Sequence, residues 1–119
     1  MANEESNCIF CKIAKGQIKS TKVAESNNLI AILDINPKAP GHTLVIPKQH
    51  LVTLLDIPNK LGNEILEFIK KISGEMLNDK TADGFNVIMN NLECAGQVVK
   101  HAHIHIIPRK ENDGLVSLV

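Results

Sequence analysis

The sequence is poor in aromatic residues and has no excess of charge of either sign. Its 119 residues include three Phe and no Tyr or Trp, and 13 basic residues balance 13 acidic ones. Without a basic surface, binding to duplex nucleic acid or to an anionic membrane is disfavoured. The scarcity of aromatic side chains disfavours a stacking platform for single strands. Any nucleic-acid ligand is therefore expected to be a mononucleotide rather than a polymer.

Long hydrophobic runs are also missing, and cysteines are few. No stretch of about 18 apolar residues is present, which argues against a membrane-spanning helix. The start, MANEESNCIF, lacks the basic segment and apolar run of a signal peptide. Three Cys disfavour a disulfide framework and leave reduced thiols or metal ligands as the alternatives. These features predict a cytoplasmic protein with no membrane partner.

The periodicity of apolar residues predicts short strands around one long helix. Helical spacing favours a helix over residues 59–78 with Asn59 as its N-cap, and a short one-sided helix over residues 7–14. Alternation and turn residues predict strands over residues 21–25, 29–33, 42–47, 85–90 and 99–108. This order predicts a single α+β domain, residues 1–119, built on an antiparallel sheet of about five strands.

Three histidines alternate with apolar residues near the C-terminus. In the run HAHIHII, His101, His103 and His105 occupy every second position. Successive side chains of a strand point to opposite faces, so the three imidazoles are expected to share one face, roughly 7 Å apart. An imidazole can act as acid, base or nucleophile near neutral pH, also toward phosphorus. A His-x-His metal site and a merely polar strand face are alternative interpretations.

This run is similar to the His-φ-His-φ-His-φ-φ signature of the histidine-triad (HIT) nucleotide-binding family. The stretches CIFCKI, LDINPKAPGHTLVIPKQH and AGQVVKHAHIHIIPR resemble further blocks of that family and span residues 7–109. The pattern most resembles the bacterial and Hint-like branch. The resemblance implies a HIT-like fold and a homodimer that hydrolyses nucleoside 5′-phosphoramidates or related nucleotidyl conjugates. A purine nucleotide or nucleotidyl conjugate is then the expected ligand.

The resemblance also implies catalytic roles for the histidine triad. His103 would attack the α-phosphorus and form a nucleotidyl-histidine intermediate, which water resolves. His105 would contact the phosphate and help to protonate the leaving group, and His101 completes the triad. No cofactor is required for this chemistry.

The resemblance assigns substrate contacts to further residues. Asn90, Gly96 and Gln97 would contact the phosphate or the leaving group, and Asp34 the ribose hydroxyls. The base would lie against Ile9, Phe10, Ile13, Ile32 and Ile35. For these five side chains a plain core role is the alternative, and Asp34 would alternatively cap the turn that follows it.

Two positions depart from the family pattern. Many relatives have a hydroxyl residue after the Gly-Gln pair, where this chain has Val98, so only the backbone N–H of Val98 remains for a phosphate contact. Residues 92–94, Leu-Glu-Cys, replace a more glycine-like segment. Both differences concern the side of the site where the leaving group is expected.

Cys8 and Cys11 form a C-x-x-C pair, a spacing that lets two thiolates bind one ion from a helical turn. Some members of the family that this chain resembles bind structural zinc through two Cys and two His. The corresponding set here would be Cys8, Cys11, His50 and His101, and two small buried thiols are the alternative interpretation. Cys94 has no evident partner.

Two other functions remain open at this point. A non-catalytic nucleotide-binding regulatory module would bind nucleotide without turnover. A zinc-dependent hydrolase would need the ion in the active site, but a closed Cys-Cys-His-His set leaves no open coordination position.

Overall fold

A computed structural model of the chain describes residues 7–116, and within that range two α-helices accompany five strands. The helices are α1 (Ile9–Ala14) and α2 (Gly62–Asn78). The strands are β1 (Lys22–Glu25), β2 (Leu29–Leu33), β3 (Thr43–Pro47), β4 (Gly84–Ile88) and β5 (Ile104–Arg109). Three 3₁₀ turns, Leu54–Asp56, Asn59–Leu61 and Glu93–Ala95, lie in the connections.

The strands form one sheet in the order β1-β2-β3-β5-β4, with every neighbouring pair antiparallel. In β5, His105 is paired with Leu44 of β3 on one side and with Ile88 of β4 on the other. The predicted α+β class with an antiparallel sheet of five strands, one long helix and a short N-terminal helix is confirmed.

The long helix α2 covers one face of the sheet. Its buried residues Phe68, Ile72 and Met76 recur at helical spacing and pack on the strands through one apolar stripe. The sheet side of this core consists of Leu29, Ala31, Val45, Ile104 and Ile106. No helix within residues 7–116 is long and apolar enough to cross a bilayer.

The short helix α1 covers part of the opposite face. Phe10, Cys11 and Ile13 are its buried residues. They pack against Ile30, Ile32, Leu44 and Ile46, which alternate along β2 and β3 with the residues that face α2. The Cys8 side chain caps α1 by accepting the N–H of Cys11 at 3.4 Å. This contact places the two thiols on the same side of the helix start.

The predicted starts of the long helix and of the last strand differ most from the structure, and β4 ends at Ile88 rather than at residue 90. A proline explains the first difference, and a contact with a residue distant in sequence explains the second. Pro58 starts a 3₁₀ turn over Asn59–Leu61, so α2 begins at Gly62 and its N-cap Leu61 makes no side-chain bond. The last strand begins at residue 104 rather than 99. Ahead of it, the N–H of Ala102 donates to the carbonyl oxygen of Leu51 at 2.6 Å, so the chain leaves the sheet there.

Candidate active site

The histidine run lies at the start of β5, on the sheet face that carries α1. Only His105 is within the strand; His101 and His103 precede it in an irregular segment. The three rings nevertheless lie close together. The rings of His103 and His105 are 5.1 Å apart, and Phe10 contacts the His101 and His103 rings edge-on at 5.8 and 5.1 Å. The three imidazole rings therefore share one face, as expected, although only His105 lies in a regular strand.

One hydrogen bond fixes the proton on the neutral His103 ring. Its Nδ1 lies 2.7 Å from the carbonyl oxygen of His101. A carbonyl oxygen can only accept, so Nδ1 carries the hydrogen and Nε2 carries the lone pair. An imidazole in this tautomer presents an unprotonated nitrogen to a substrate, as a nucleophile requires.

A second chain of bonds fixes His105 in the opposite tautomer. The backbone N–H of Lys38 donates to Nδ1 of His42 at 3.0 Å, so the His42 hydrogen must be on Nε2. That nitrogen lies 2.9 Å from Nδ1 of His105 and donates to it. Neutral His105 therefore has its hydrogen on Nε2, where it can be donated to a leaving group.

Burial and neighbouring rings keep His105 uncharged. Desolvation, with smaller contributions from the positive charges that His103, His42 and Lys38 can carry, lowers the pKa of His105 to about 4, against an opposing effect of Asp34. Desolvation also lowers the pKa of His42. Both rings are consequently neutral at pH 7, which the bond from His42 to His105 requires.

Asn90 and Gly96 lie close together between β4 and β5. Asn90 follows β4, and its neighbour Met89 packs against the cluster that contains Ala102, the residue between His101 and His103. Gly96 has a φ of +99°, and a β-carbon there would be 3.4 Å from Nδ2 of Asn90. The left-handed backbone favours glycine at this position, whereas a β-carbon would be in van der Waals contact with Asn90.

The side-chain amide of Gln97 is occupied within the chain. Its Oε1 accepts the N–H of Leu92 at 2.7 Å, and its Nε2 donates to the carbonyl oxygen of Val52 at 2.6 Å. The expected phosphate contact of this amide stays a prediction and would require these bonds to break. The Val98 side chain is 90% exposed, and its N–H has no acceptor within residues 7–116. A contact of that N–H with a phosphate oxygen stays a prediction.

The residues expected to contact the nucleoside separate into buried and exposed groups. Phe10, Ile13 and Ile32 belong to the core under α1, whereas Ile9 is 43% and Ile35 89% exposed. Asp34 follows β2 and accepts the N–H of Asn36 at 3.0 Å, a turn-capping bond. Its other oxygen lies 3.5 Å from Nε2 of His42. Contacts of these residues with base and ribose stay predictions.

The four proposed metal ligands converge behind the triad. Nδ1 of His101 lies 3.2 Å from the Cys8 sulfur and 3.5 Å from the Cys11 sulfur, and Nδ1 of His50 lies 3.2 Å from the Cys11 sulfur. In tetrahedral zinc sites, sulfur and nitrogen ligands are about 3.5 Å apart. Nε2 of His101 donates to the carbonyl oxygen of Pro47 at 2.7 Å, which directs the Nδ1 lone pair to the thiols. The residues present therefore fit a zinc ion.

A second cluster, Asp34, His42 and His105, also has its ligand atoms close together. A metal there would need a lone pair on Nε2 of His42. That nitrogen carries the hydrogen, because Nδ1 accepts from the backbone N–H of Lys38. This tautomer argues against a metal ion in the active site and so against a zinc-dependent hydrolase.

His42 is a further residue of the candidate site, and the sequence alone does not indicate it. It is buried, and it is the only side chain bonded to the ring of His105 among the residues described. The available signal was its position as a histidine at the predicted start of β3, after a proline-rich turn. Its partner in β5 is 63 residues away, so only the pairing of β3 with β5 reveals the contact.

Fold and site together define a class, the small α+β proteins with three alternating histidines at the start of an inner strand of the sheet. The sequence profile of the HIT domain matches residues 15–112. The chain belongs to the HIT family.

Individual relatives are similar over most of the chain. An uncharacterised HIT-like protein of Methanocaldococcus jannaschii is 47% identical over 111 residues, covering 92% of this chain and 84% of that protein. An adenosine 5′-monophosphoramidase of Candida albicans is 42% identical, covering 89% of this chain and 72% of that protein. The crystal structure of a zinc-bound histidine triad family protein from Mycobacterium smegmatis has a TM-score of 0.88 and 36% identity, covering 94% and 81% of the two chains.

The depressed pKa of His105 predicts how stability depends on pH. Its folded-state pKa of about 4 lies below the unfolded value of 6.5, so the unfolded chain binds the proton more tightly. The resulting stability is present above pH 6.5 and is lost as pH falls toward 4. Because His105 is partly exposed and solvent screens its charge, we expect its protonation to lower the free energy of unfolding by about 1–2 kcal/mol. Urea unfolding at pH 7 and at pH 4.5 measures this change in the free energy of unfolding. His105→Asn should flatten the dependence, and equal pH slopes in both proteins would contradict this prediction.

Proposed function

We propose that this protein is a nucleotide-binding hydrolase or transferase that cleaves nucleoside 5′-phosphoramidates or related nucleotidyl conjugates. The observation that carries the proposal is the bond from Nδ1 of His103 to the carbonyl oxygen of His101, because it leaves Nε2 as the nucleophilic nitrogen. The similarity to a Candida albicans adenosine 5′-monophosphoramidase supports the same reaction class.

In the proposed reaction, Nε2 of His103 attacks the α-phosphorus and forms a phosphorus–nitrogen bond. The bond from phosphorus to the leaving amine breaks with its electron pair, and the amine takes the Nε2 proton of His105. Water then attacks the same phosphorus, returns a proton to Nε2 of His105, releases the ring of His103 and yields the nucleoside monophosphate. Splitting one displacement into two through a covalent intermediate lowers the barrier of each.

Zinc is proposed as a structural ion held by Cys8, Cys11, His50 and His101. The sulfur–nitrogen distances fit tetrahedral coordination. A bound ion would tie α1 to the segment that leads into β5. All four ligands are then protein atoms, so the ion supplies stability rather than chemistry.

We also propose that the protein is a cytoplasmic homodimer formed through β4. This strand is at one edge of the sheet, and its Phe85 and Val87 side chains are 40% and 48% exposed. An open edge with apolar side chains favours pairing with a second strand. Two copies related by a two-fold axis would join their sheets there.

The roles of the two histidines predict different responses to the leaving group. His103→Ala should lower kcat by several powers of ten on any substrate, since the nucleophile is lost. His105→Ala should be slow on adenosine 5′-phosphoramidate but recover on adenosine 5′-(4-nitrophenyl phosphate), because 4-nitrophenolate leaves without a proton. Steady-state rates and mass spectrometry of the adenylylated protein measure both. An adduct that persists in His103→Ala, or nucleotide binding without any turnover by the unaltered protein, contradicts the proposal.

The zinc proposal predicts metal content and thermal stability. Protein produced with zinc should contain about one ion per chain, and chelation should lower its melting temperature. Cys8→Ser should lose the ion. Cys94→Ser is the matched control, because Cys94 is exposed and outside the cluster. Elemental analysis measures the content, and equal zinc in the two variants would refute this assignment.

The dimer proposal predicts that a charged side chain in the edge strand β4 prevents dimerisation. Val87→Lys in β4 should yield monomers, because two lysines would oppose each other across the two-fold axis. Val23→Lys is the matched control, since Val23 is 44% exposed on the opposite edge strand β1. Light scattering after gel filtration distinguishes the states. Dimers in Val87→Lys, or monomers only in Val23→Lys, would exclude the β4 interface.

A further inference from the structure

Residues 50–54 lead from β3 into the first 3₁₀ turn and contain no strand or α-helix. Two of their side chains, Leu51 and Thr53, are nevertheless buried. Their backbone groups form hydrogen bonds with residues that are distant in sequence. We name residues 50–54 the anchor segment.

The anchor segment holds the backbone between two histidines of the triad. The carbonyl oxygen of Leu51 accepts the N–H of Ala102 at 2.6 Å. Ala102 lies between His101 and His103 and is 1% exposed, so its N–H needs a partner within the protein. The side chains of Leu51 and Ala102 also belong to one apolar cluster. The backbone that leads into His103 is therefore fixed by Leu51.

The same segment holds residues after β4 for which phosphate contacts are predicted. The carbonyl oxygen of Val52 accepts a hydrogen bond from Nε2 of Gln97 at 2.6 Å, and Gln97 is buried. The N–H of Leu54 donates to Oδ1 of Asn91, the residue after Asn90, at 2.8 Å. The anchor segment is thus bonded directly to Gln97 and to the neighbour of Asn90.

Two contacts fix the anchor segment itself. At its start, Nδ1 of His50 lies 3.2 Å from the Cys11 sulfur, so His50 belongs to the Cys–His cluster. At its end, the carboxylate of Asp56 accepts the N–H groups of Val52 and Thr53 at 3.2 and 2.9 Å. Thr53 and Asp56 also cap the 3₁₀ turn reciprocally. Because the segment lies between these two contacts, the loss of either one gives its carbonyl groups freedom to move.

We propose that His50 and Asp56 are positioning residues of the candidate active site, and that ligation of His50 within the Cys–His cluster sets the rate of the proposed reaction. The inference rests on the proposed function and assigns the cluster a second role in it. Each residue acts through the anchor segment, which orients His103 and Gln97. A displacement of about 1 Å in such groups lowers a rate by about 10²-fold. If the cluster served stability alone, a folded variant would keep the rate of the unaltered protein.

Two substitutions at residue 50 separate ligation from stability. His50→Ala removes a ligand, and we expect kcat on adenosine 5′-phosphoramidate to fall by about 10²-fold at a temperature where circular dichroism shows a folded chain. His50→Cys supplies a thiolate instead, and three Cys with one His also form tetrahedral zinc sites. We expect this variant to bind about one zinc per chain and to recover most of kcat. Full zinc content without recovery overturns the role of ligation, and so does an unaltered kcat in folded His50→Ala.

The Gln97 side chain provides a measurement that does not need turnover. Its Nε2 donates to Val52 in the unaltered protein. We expect its amide hydrogens to exchange with water about tenfold faster in His50→Ala, because that bond opens more often. Nuclear magnetic resonance of isotope-labelled protein measures the exchange, and equal rates in the two proteins overturn the coupling. If the unaltered protein turns over no phosphoramidate, the proposed function fails, while this exchange still decides whether the cluster positions Gln97.

Asp56 tests the other end of the anchor segment without altering a metal ligand, and it decides the outcome if His50→Ala does not fold. Asp56→Ala should keep its zinc and lower kcat by about tenfold or more. Asp56→Asn should keep most of kcat, because its amide oxygen still accepts both N–H groups.

Asp83→Ala is the matched control for Asp56→Ala. Both carboxylates are exposed and accept backbone N–H groups. The partner of Asp83 is Glu111, beyond the end of β5 that is remote from the histidines. This variant should keep the kcat of the unaltered protein. An unaltered kcat in Asp56→Ala, or an equal fall in Asp83→Ala, overturns the proposal.

Discussion

The carbonyl oxygen of His101 accepts the Nδ1 hydrogen of His103 at 2.7 Å, and the orientation of the triad depends on this bond. His101 is itself held at both ring nitrogens. Nε2 donates to Pro47, and Nδ1 faces the thiols of Cys8 and Cys11. Because contacts with β3 and α1 hold His101 in place, they also hold its carbonyl group, which selects the tautomer of His103. The Cys–His cluster and the ring of His103 are thus adjacent parts of one polar network.

The candidate site lies on one face of the sheet, beside the apolar cluster that α1 covers. One face buries apolar side chains under α2, and the other carries α1, the histidines and the bonded chain from Lys38 through His42 to His105. Polar groups buried on the second face are satisfied by one another, so their desolvation is offset by hydrogen bonds. The apolar core under α2 supports the sheet from behind, and hydrogen bonds hold the imidazole rings in fixed orientations. The rings are held in this way although residues 99–103 do not form a regular strand.

The elements of the fold were predictable because local periodicity encodes them. The stripe that includes Phe68, Ile72 and Met76 predicted α2, and turn residues separated the strands. The bounds of a strand or helix are less predictable where a residue distant in sequence supplies a hydrogen-bond partner. Residues 99–103 alternate like a strand, yet the N–H of Ala102 bonds to Leu51 instead of to a neighbouring strand. The sequence alone does not reveal that competing acceptor, so it predicts a start of β5 at residue 99 rather than at Ile104.

The sequence by itself determined which chemical groups are available: three alternating imidazoles, a C-x-x-C pair and a glycine followed by glutamine. Only the tertiary structure decided their states. It brought Cys8 and His101 together across 93 residues, and it placed His42 against His105. It also directed the Gln97 amide to backbone groups instead of solvent. The reason is physical: side-chain order is written along the chain, whereas tautomers and hydrogen-bond partners depend on which backbone carbonyls and N–H groups folding brings within about 3 Å.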